Sequence, residues 1–249
     1  METLFGKLAP VCERFSSGSE PMNMASAGLI VVVALYALSV WFRAWHRDGF
    51  QLVLTLLALM VGLGSLAFHA VPALHVILLD SAPLKLFFLA YFVLILRRMY
   101  GYPAGRTGLF LLLIVLAALL LALAVPPTEV GEGSRLLTLL AALYLMAGGL
   151  VIKARIGMHQ DRGLTGMAAA RSDALHFPRL RAGYGLVIVG IIFALGLAAK
   201  ALDMPLCNRF AFGSHFLWHG LVALMLWRML VIAFHYPTAP EVQARLAEK

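Results

Sequence analysis

Two pairs of polar side chains interrupt apolar segments of this chain at helical spacing: Ser65 with His69 in GSLAFHA, and His215 with His219 in GSHFLWHGLVALML. Each pair is spaced i, i+4, so in a helix its members lie on one face, one turn apart. Three imidazoles and a hydroxyl can therefore converge. Three neutral imidazoles with one open position form the ligand set of a catalytic zinc site rather than a structural one. Zinc held in this way lowers the pKa of its water to about 7 and so supplies a nucleophile near neutral pH. Asp80 offers a carboxylate for general acid–base work. Ser65 offers a hydroxyl that can donate to a developing oxyanion or brace a ligand. Each part also has a plainer reading. An HxxxH pair can bond backbone, and a serine in a membrane helix can bond its own i−4 carbonyl. Asp80 can cap the helix that follows it in LLDSAPLKLFF, with Pro83 near the first turn. The combination carries the argument, because polar groups at membrane depth are costly and mark function by default.

The elements that must position these residues are membrane helices. The chain has 249 residues, 62% apolar and 13% charged, with a mean hydropathy of +0.90, far too oily for a soluble globule. Apolar stretches at about 24–42, 51–70, 84–100, 108–125, 134–152, 183–200 and 212–234 each approach the roughly 20 residues a helix needs to cross a bilayer. A transmembrane β-barrel is excluded, because the runs lack period-2 alternation and exceed the roughly 9 to 11 residues of a barrel strand. The expected architecture is all-α: a single domain over residues 1–249 forming a bundle of seven transmembrane helices.

The formal charge of +8 would suggest nucleic acid in a soluble protein, but here the basic residues alternate by loop. Arg43 and Arg47, then Arg97, Arg98 and Arg106, then Lys153, Arg155, Arg162, Arg171, Arg179 and Arg181 follow the first, third and fifth spans, and Arg245 and Lys249 close the tail. The positive-inside rule then places the N-terminus outside and the C-terminus in the cytoplasm. Nucleic acid is not an expected partner, and no obligate protein partner is evident. Residues 1–21 hold no apolar core of a cleavable signal peptide. In this topology Ser65, His69, Asp80, His215 and His219 share one layer near the outer surface. His46, His159, His176 and His235 fall at inner ends or loops as interfacial groups, while His75 lies on the site side as a minor second contributor. Residues 153–182 read first as a solvated basic loop, with a short surface helix at MAAARSDALHFPRLR as the other reading. Trp41, Trp45, Tyr100, Tyr102 and Tyr236 form an inner aromatic belt. Cys12 and Cys207, the two cysteines, both lie on the outer side and read either as a bridge or as two unpaired small hydrophobes.

At these residues the chain resembles the alkaline ceramidases, within the superfamily of seven-span proteins that includes the adiponectin and progestin receptors. The shared pattern is Ser-x-x-x-His in span 2 (Ser65, His69), an Asp near span 3 (Asp80) and His-x-x-x-His in span 7 (His215, His219). It extends to VCERFSSGSEPMN, with Cys12, Glu13, Glu20 and Asn23, and to LDMPLC, with Asp203 and Cys207. The resemblance implies zinc on His69, His215 and His219, a water served by Asp80, Ser65 near the oxyanion, and a Cys12–Cys207 disulfide. Eukaryotic members carry calcium in the N-terminal segment. Here Glu13 and Glu20 stand at two ligand positions, but Pro10, Val11 and Phe15 replace Asp, Trp and Asn. A cation seeking roughly six to eight oxygens is short of ligands there, so calcium has weak support and the two glutamates can instead tie the segment down by hydrogen bonds.

The expected activity is zinc-dependent hydrolysis of a ceramide-type or other N-acyl membrane lipid to fatty acid and amine, at the outer side of a multi-pass membrane protein. The alternatives are hydrolysis of another acyl lipid, or a receptor-like bundle organised by a structural zinc. Bis-histidine haem leaves Asp80 and Ser65 without a task.

Overall fold

The computed structural model describes residues 11–13, 20–44, 47–71, 74–124, 131–160 and 167–238. Trp45, His46, Arg245 and Lys249 lie outside them, as do the side chains of His75 and His159. Seven long helices follow in order: α1 (Pro21–Arg43), α2 (Gly49–Ala70), α3 (Leu74–Leu94), α4 (Ala104–Ala124), α5 (Gly131–Gln160), α6 (Met167–Leu206) and α7 (His215–His235). Helix α3 continues into a π-helical turn, Ile95–Met99. All seven contain a segment long and apolar enough to cross a bilayer, so the chain is a multi-pass membrane protein by length and composition.

Helix ends follow local chemistry. Pro21 opens α1, where its missing N–H costs nothing. Asp48 caps α2 by accepting from the backbone N–H groups of Phe50 (2.7 Å) and Gln51 (3.2 Å). Between the helices, α2 packs on α3 and α1, α7 on α1 and α6, and α5 on α6. The shared core is aromatic at its centre, with Phe87, Phe88, Tyr91 and Phe92 of α3 meeting Phe193 of α6 and Met229 of α7. Tyr91 donates to the Met229 carbonyl at 3.0 Å, satisfying its hydroxyl inside the core. Helix α4 is nearly bare, and its exposed Leu109, Leu113, Leu120 and Leu123 form an apolar surface of the kind lipid covers.

The structure corrects two expectations. Asp80 does not precede the third span: it lies inside α3, whose helix starts at Leu74, and Pro83 is interior to that helix. The apolar run Val76–Leu79 is good helical material, and one proline does not end it. Pro83 has no N–H to give the Leu79 carbonyl four residues back. That carbonyl faces Gly64 of α2, where an added Cβ would stand 1.9 Å from it. Gly64 thus lets α3 approach closely enough to bring Asp80 alongside Ser65. The second correction concerns residues 153–182, of which 153–160 and 167–182 are helical rather than loop. Helix α5 runs on to Gln160 and α6 begins at Met167, so MAAARSDALHFPRLR is the start of a 40-residue helix. The alanines favour helix, and the polar residues mark the part that emerges from the apolar layer.

Candidate metal centre

The N-terminal half of α1, the last turns of α2 and the first turns of α7 meet at one end of the bundle. There the i, i+4 geometry brings His69, His215 and His219 together, with one ligand nitrogen from each lying within 4.8 Å of the others. All three are buried, and Ser65 beside them is 2% exposed. The Nε2 atoms of His69 and His219 are 3.2 Å apart, and Ser65 Oγ stands 3.2 Å from the same His219 Nε2.

Hydrogen bonds assign the tautomers. His69 Nδ1 lies 2.6 Å from Glu20 Oε2, and because a carboxylate only accepts, Nδ1 donates and the lone pair is left on Nε2. Ser26 Oγ donates to the Asn23 carbonyl at 3.0 Å, so it accepts from His219 Nδ1 at 3.1 Å. The His219 lone pair is therefore also on Nε2. With both rings neutral, two lone pairs face each other across 3.2 Å; a metal ion held by both relieves that contact, as does a second proton on His69 balanced by Glu20. Two nitrogens on a tetrahedral zinc, each at about 2.0–2.1 Å, stand roughly 3.3 Å apart. The donor set and its spacing fit a divalent ion of that kind.

Supporting groups hold the ligands in turn. Glu20 Oε2 also accepts from Asn23 Nδ2 at 3.1 Å, which fixes its carboxylate. Glu13 accepts from the backbone N–H groups of Met22 (2.8 Å) and Asn23 (3.0 Å) and so closes the open end of α1. Both glutamates act as hydrogen-bond acceptors tying the segment down, as one of the two sequence readings had it. The carboxylate–histidine pair is the usual device for orienting a ligating imidazole and raising its basicity. Replacing Glu20 with alanine is expected to weaken metal affinity roughly 10- to 100-fold, read by competition with a chromophoric chelator.

Helix α7 has no cap from its own Ser214 side chain. Asp203 of α6 supplies one: its Oδ1 accepts from the backbone N–H groups of Ser214 (2.7 Å) and His215 (2.8 Å), and Oδ2 accepts from that of Cys12 (2.9 Å). Gly213 makes this possible, with φ at +60° and an absent Cβ that would lie 2.1 Å from Asp203 Oδ1. Cys12 and Cys207 are disulfide-bonded with Cα atoms 5.3 Å apart. The bridge pins the N-terminal segment over the start of α7.

Beside the histidines is a cavity of about 30 Å³ whose lining includes Ser65, Asp80, Ser81, Lys200, Trp218 and His219. That is room for a water-sized group. The structure therefore brings Asp80 and Ser65 to one cavity with His219, and the five sequence-predicted residues share one end of the bundle. Of the other histidines, His176 bonds the Ala154 carbonyl at 2.9 Å and His235 the Val231 carbonyl at 2.8 Å, both away from the site. Sequence reasoning missed Ser26 and Lys200, since a lone serine or lysine carries no spacing signal. Lys200 Nζ sits 5.3 Å from the Trp218 ring centroid, a cation–π distance.

No protein-family model, curated protein or solved structure matches this chain. A functional reading therefore stands on the site residues themselves.

Proposed function

We propose that the protein is a zinc-dependent hydrolase of membrane lipid amides, of the ceramidase type that its motifs resemble. The observation that carries the reading is the cluster of three buried imidazoles with ligand atoms within 4.8 Å of one another, next to a cavity shared by a carboxylate and a hydroxyl. His69, His215 and His219 would hold the ion. Zinc in such a site supplies Lewis acidity and a water of lowered pKa. The remaining chemistry belongs to this chain. Asp80 accepts the proton of the attacking water and returns it to the leaving amine. Ser65 Oγ donates to negative charge developing on the scissile carbonyl oxygen. Ile30, Val61 and Leu84 line the same cavity as Asp80 and limit water to what the reaction uses. The substrate is an N-acyl lipid entering sideways from the bilayer; the positive-inside pattern supports a site on the outer side with the C-terminus in the cytoplasm.

Purified protein in mild detergent is expected to release fatty acid from at least one member of a panel of ceramides and other N-acyl lipids. Chelation should abolish release and added zinc restore it. Turnover unaffected by complete metal removal contradicts the reading, and release from acyl esters alone moves the substrate class.

A further inference from the structure

Among the described side chains, the end of the bundle opposite the histidines carries more cationic than anionic groups. Helix α3 finishes there in the π turn Ile95–Met99, which carries Arg98. π turns inside helices occur often at functional sites. Arg98 Nη2 pairs with an oxygen of Asp48. Among the described residues its Nη1 is buried with no hydrogen-bond partner; Tyr236 Oη, buried at the end of α7, lies beside the Arg179 guanidinium, which donates toward its oxygen and leaves the phenol proton without an acceptor. Arg179 of α6 reaches the same place, donating from Nε to the Met99 carbonyl at 3.1 Å. Burial pushes the Tyr236 phenol up, while the nearby Arg179 and Arg98 guanidiniums pull it the other way. Lys153 also lies within electrostatic reach of Arg179.

Among the described side chains the acidic groups are Glu13, Glu20, Asp80 and Asp203 at the histidine end, and Asp48 here. Among the described side chains Asp48, paired with Arg98, is thus the one carboxylate near Arg98, Arg179 and Lys153. The unfilled groups point to one kind of ligand: Arg98 Nη1 and Tyr236 Oη have protons to give, and an unmet buried donor is costly. A partner with several anionic oxygens in forked geometry answers them, and guanidinium groups match phosphate in this way. The height fits too, because Trp41, Tyr100 and Tyr102 occupy the same end of the spans, as aromatic side chains do at headgroup level.

We infer that Arg98, Arg179 and Tyr236 form a phosphate-binding site that takes the headgroup of an anionic membrane lipid. The site is independent of the metal centre and of any hydrolytic activity.

The test uses the full chain in neutral detergent, with the thermal unfolding midpoint followed against added dioleoyl phosphatidylglycerol, dioleoyl phosphatidylcholine or inorganic phosphate. Phosphatidylglycerol should raise the midpoint of the wild type saturably. Arg179→Gln should need about ten times more lipid for the same effect, and Tyr236→Phe, which removes one hydroxyl and keeps the packing, several times more. A shift by inorganic phosphate matching that of the lipid keeps the phosphate site but makes its source free phosphate. No shift of the wild type by either phosphatidylglycerol or phosphate overturns the proposal, as does equal lipid response in the wild type and both variants. Equal stabilisation by phosphatidylcholine overturns the selection for an anionic lipid.

Discussion

Asp80→Asn is expected to lower the rate of fatty-acid release by roughly 10²- to 10⁴-fold while leaving bound metal unchanged. Asparagine keeps the size of the side chain and one acceptor oxygen, but it cannot take up a proton at working pH. At about 1.4 kcal/mol per factor of ten, the loss corresponds to about 3–5 kcal/mol of transition-state stabilisation. Metal should stay because the three imidazoles come from α2 and α7, not from α3. Initial rates and metal content measured on one preparation decide the matter. A rate equal to wild type removes Asp80 from the reaction, and loss of metal together with rate makes it a structural residue instead.

His219→Ala is expected to cost at least about 100-fold in metal affinity, exceeding the upper range seen when only a group behind a ligand is removed. His219 meets His69 and Ser65 through Nε2 and Ser26 through Nδ1. Its removal leaves two imidazoles and a gap beside them. Stability should report the same loss: at free metal about 100 times the Kd, binding to the folded state adds about 2.7 kcal/mol. Wild type should therefore unfold at lower temperature after chelation, whereas the variant should not respond. A variant that binds metal as tightly as wild type excludes His219 as a ligand.

How much of this could be read in the sequence depended on whether a residue carried a spacing signal. Ser65 with His69 and His215 with His219 were legible, because i, i+4 pairs in apolar helices fix a face without knowledge of any neighbour. The seven spans were legible for the same reason, since length and hydropathy are properties of one segment. Asp80 was singled out but expected ahead of its helix rather than inside it. Pro83 suggested a helix start, and only the packing of the Leu79 carbonyl on Gly64 shows how α3 carries a proline in its interior. Glu20 was noticed as an acidic residue, yet its bond to His69 joins residues far apart in the chain. The trans cap from Asp203 and the clearance at Gly213 are likewise properties of contact between segments. Residues 153–182 misled because charge suggested a loop, although a helix can continue past its apolar segment without ending. The Arg98, Arg179 and Tyr236 cluster draws on three elements, and no spacing along the chain announces it.

Elemental mass spectrometry of the purified wild-type protein decides whether His69, His215 and His219 hold a divalent ion. About one zinc per chain, retained through gel filtration in metal-free buffer, is the expected result. Protein that folds, unfolds cooperatively and carries no bound metal, even after exposure to zinc, rules out a metal centre on these histidines.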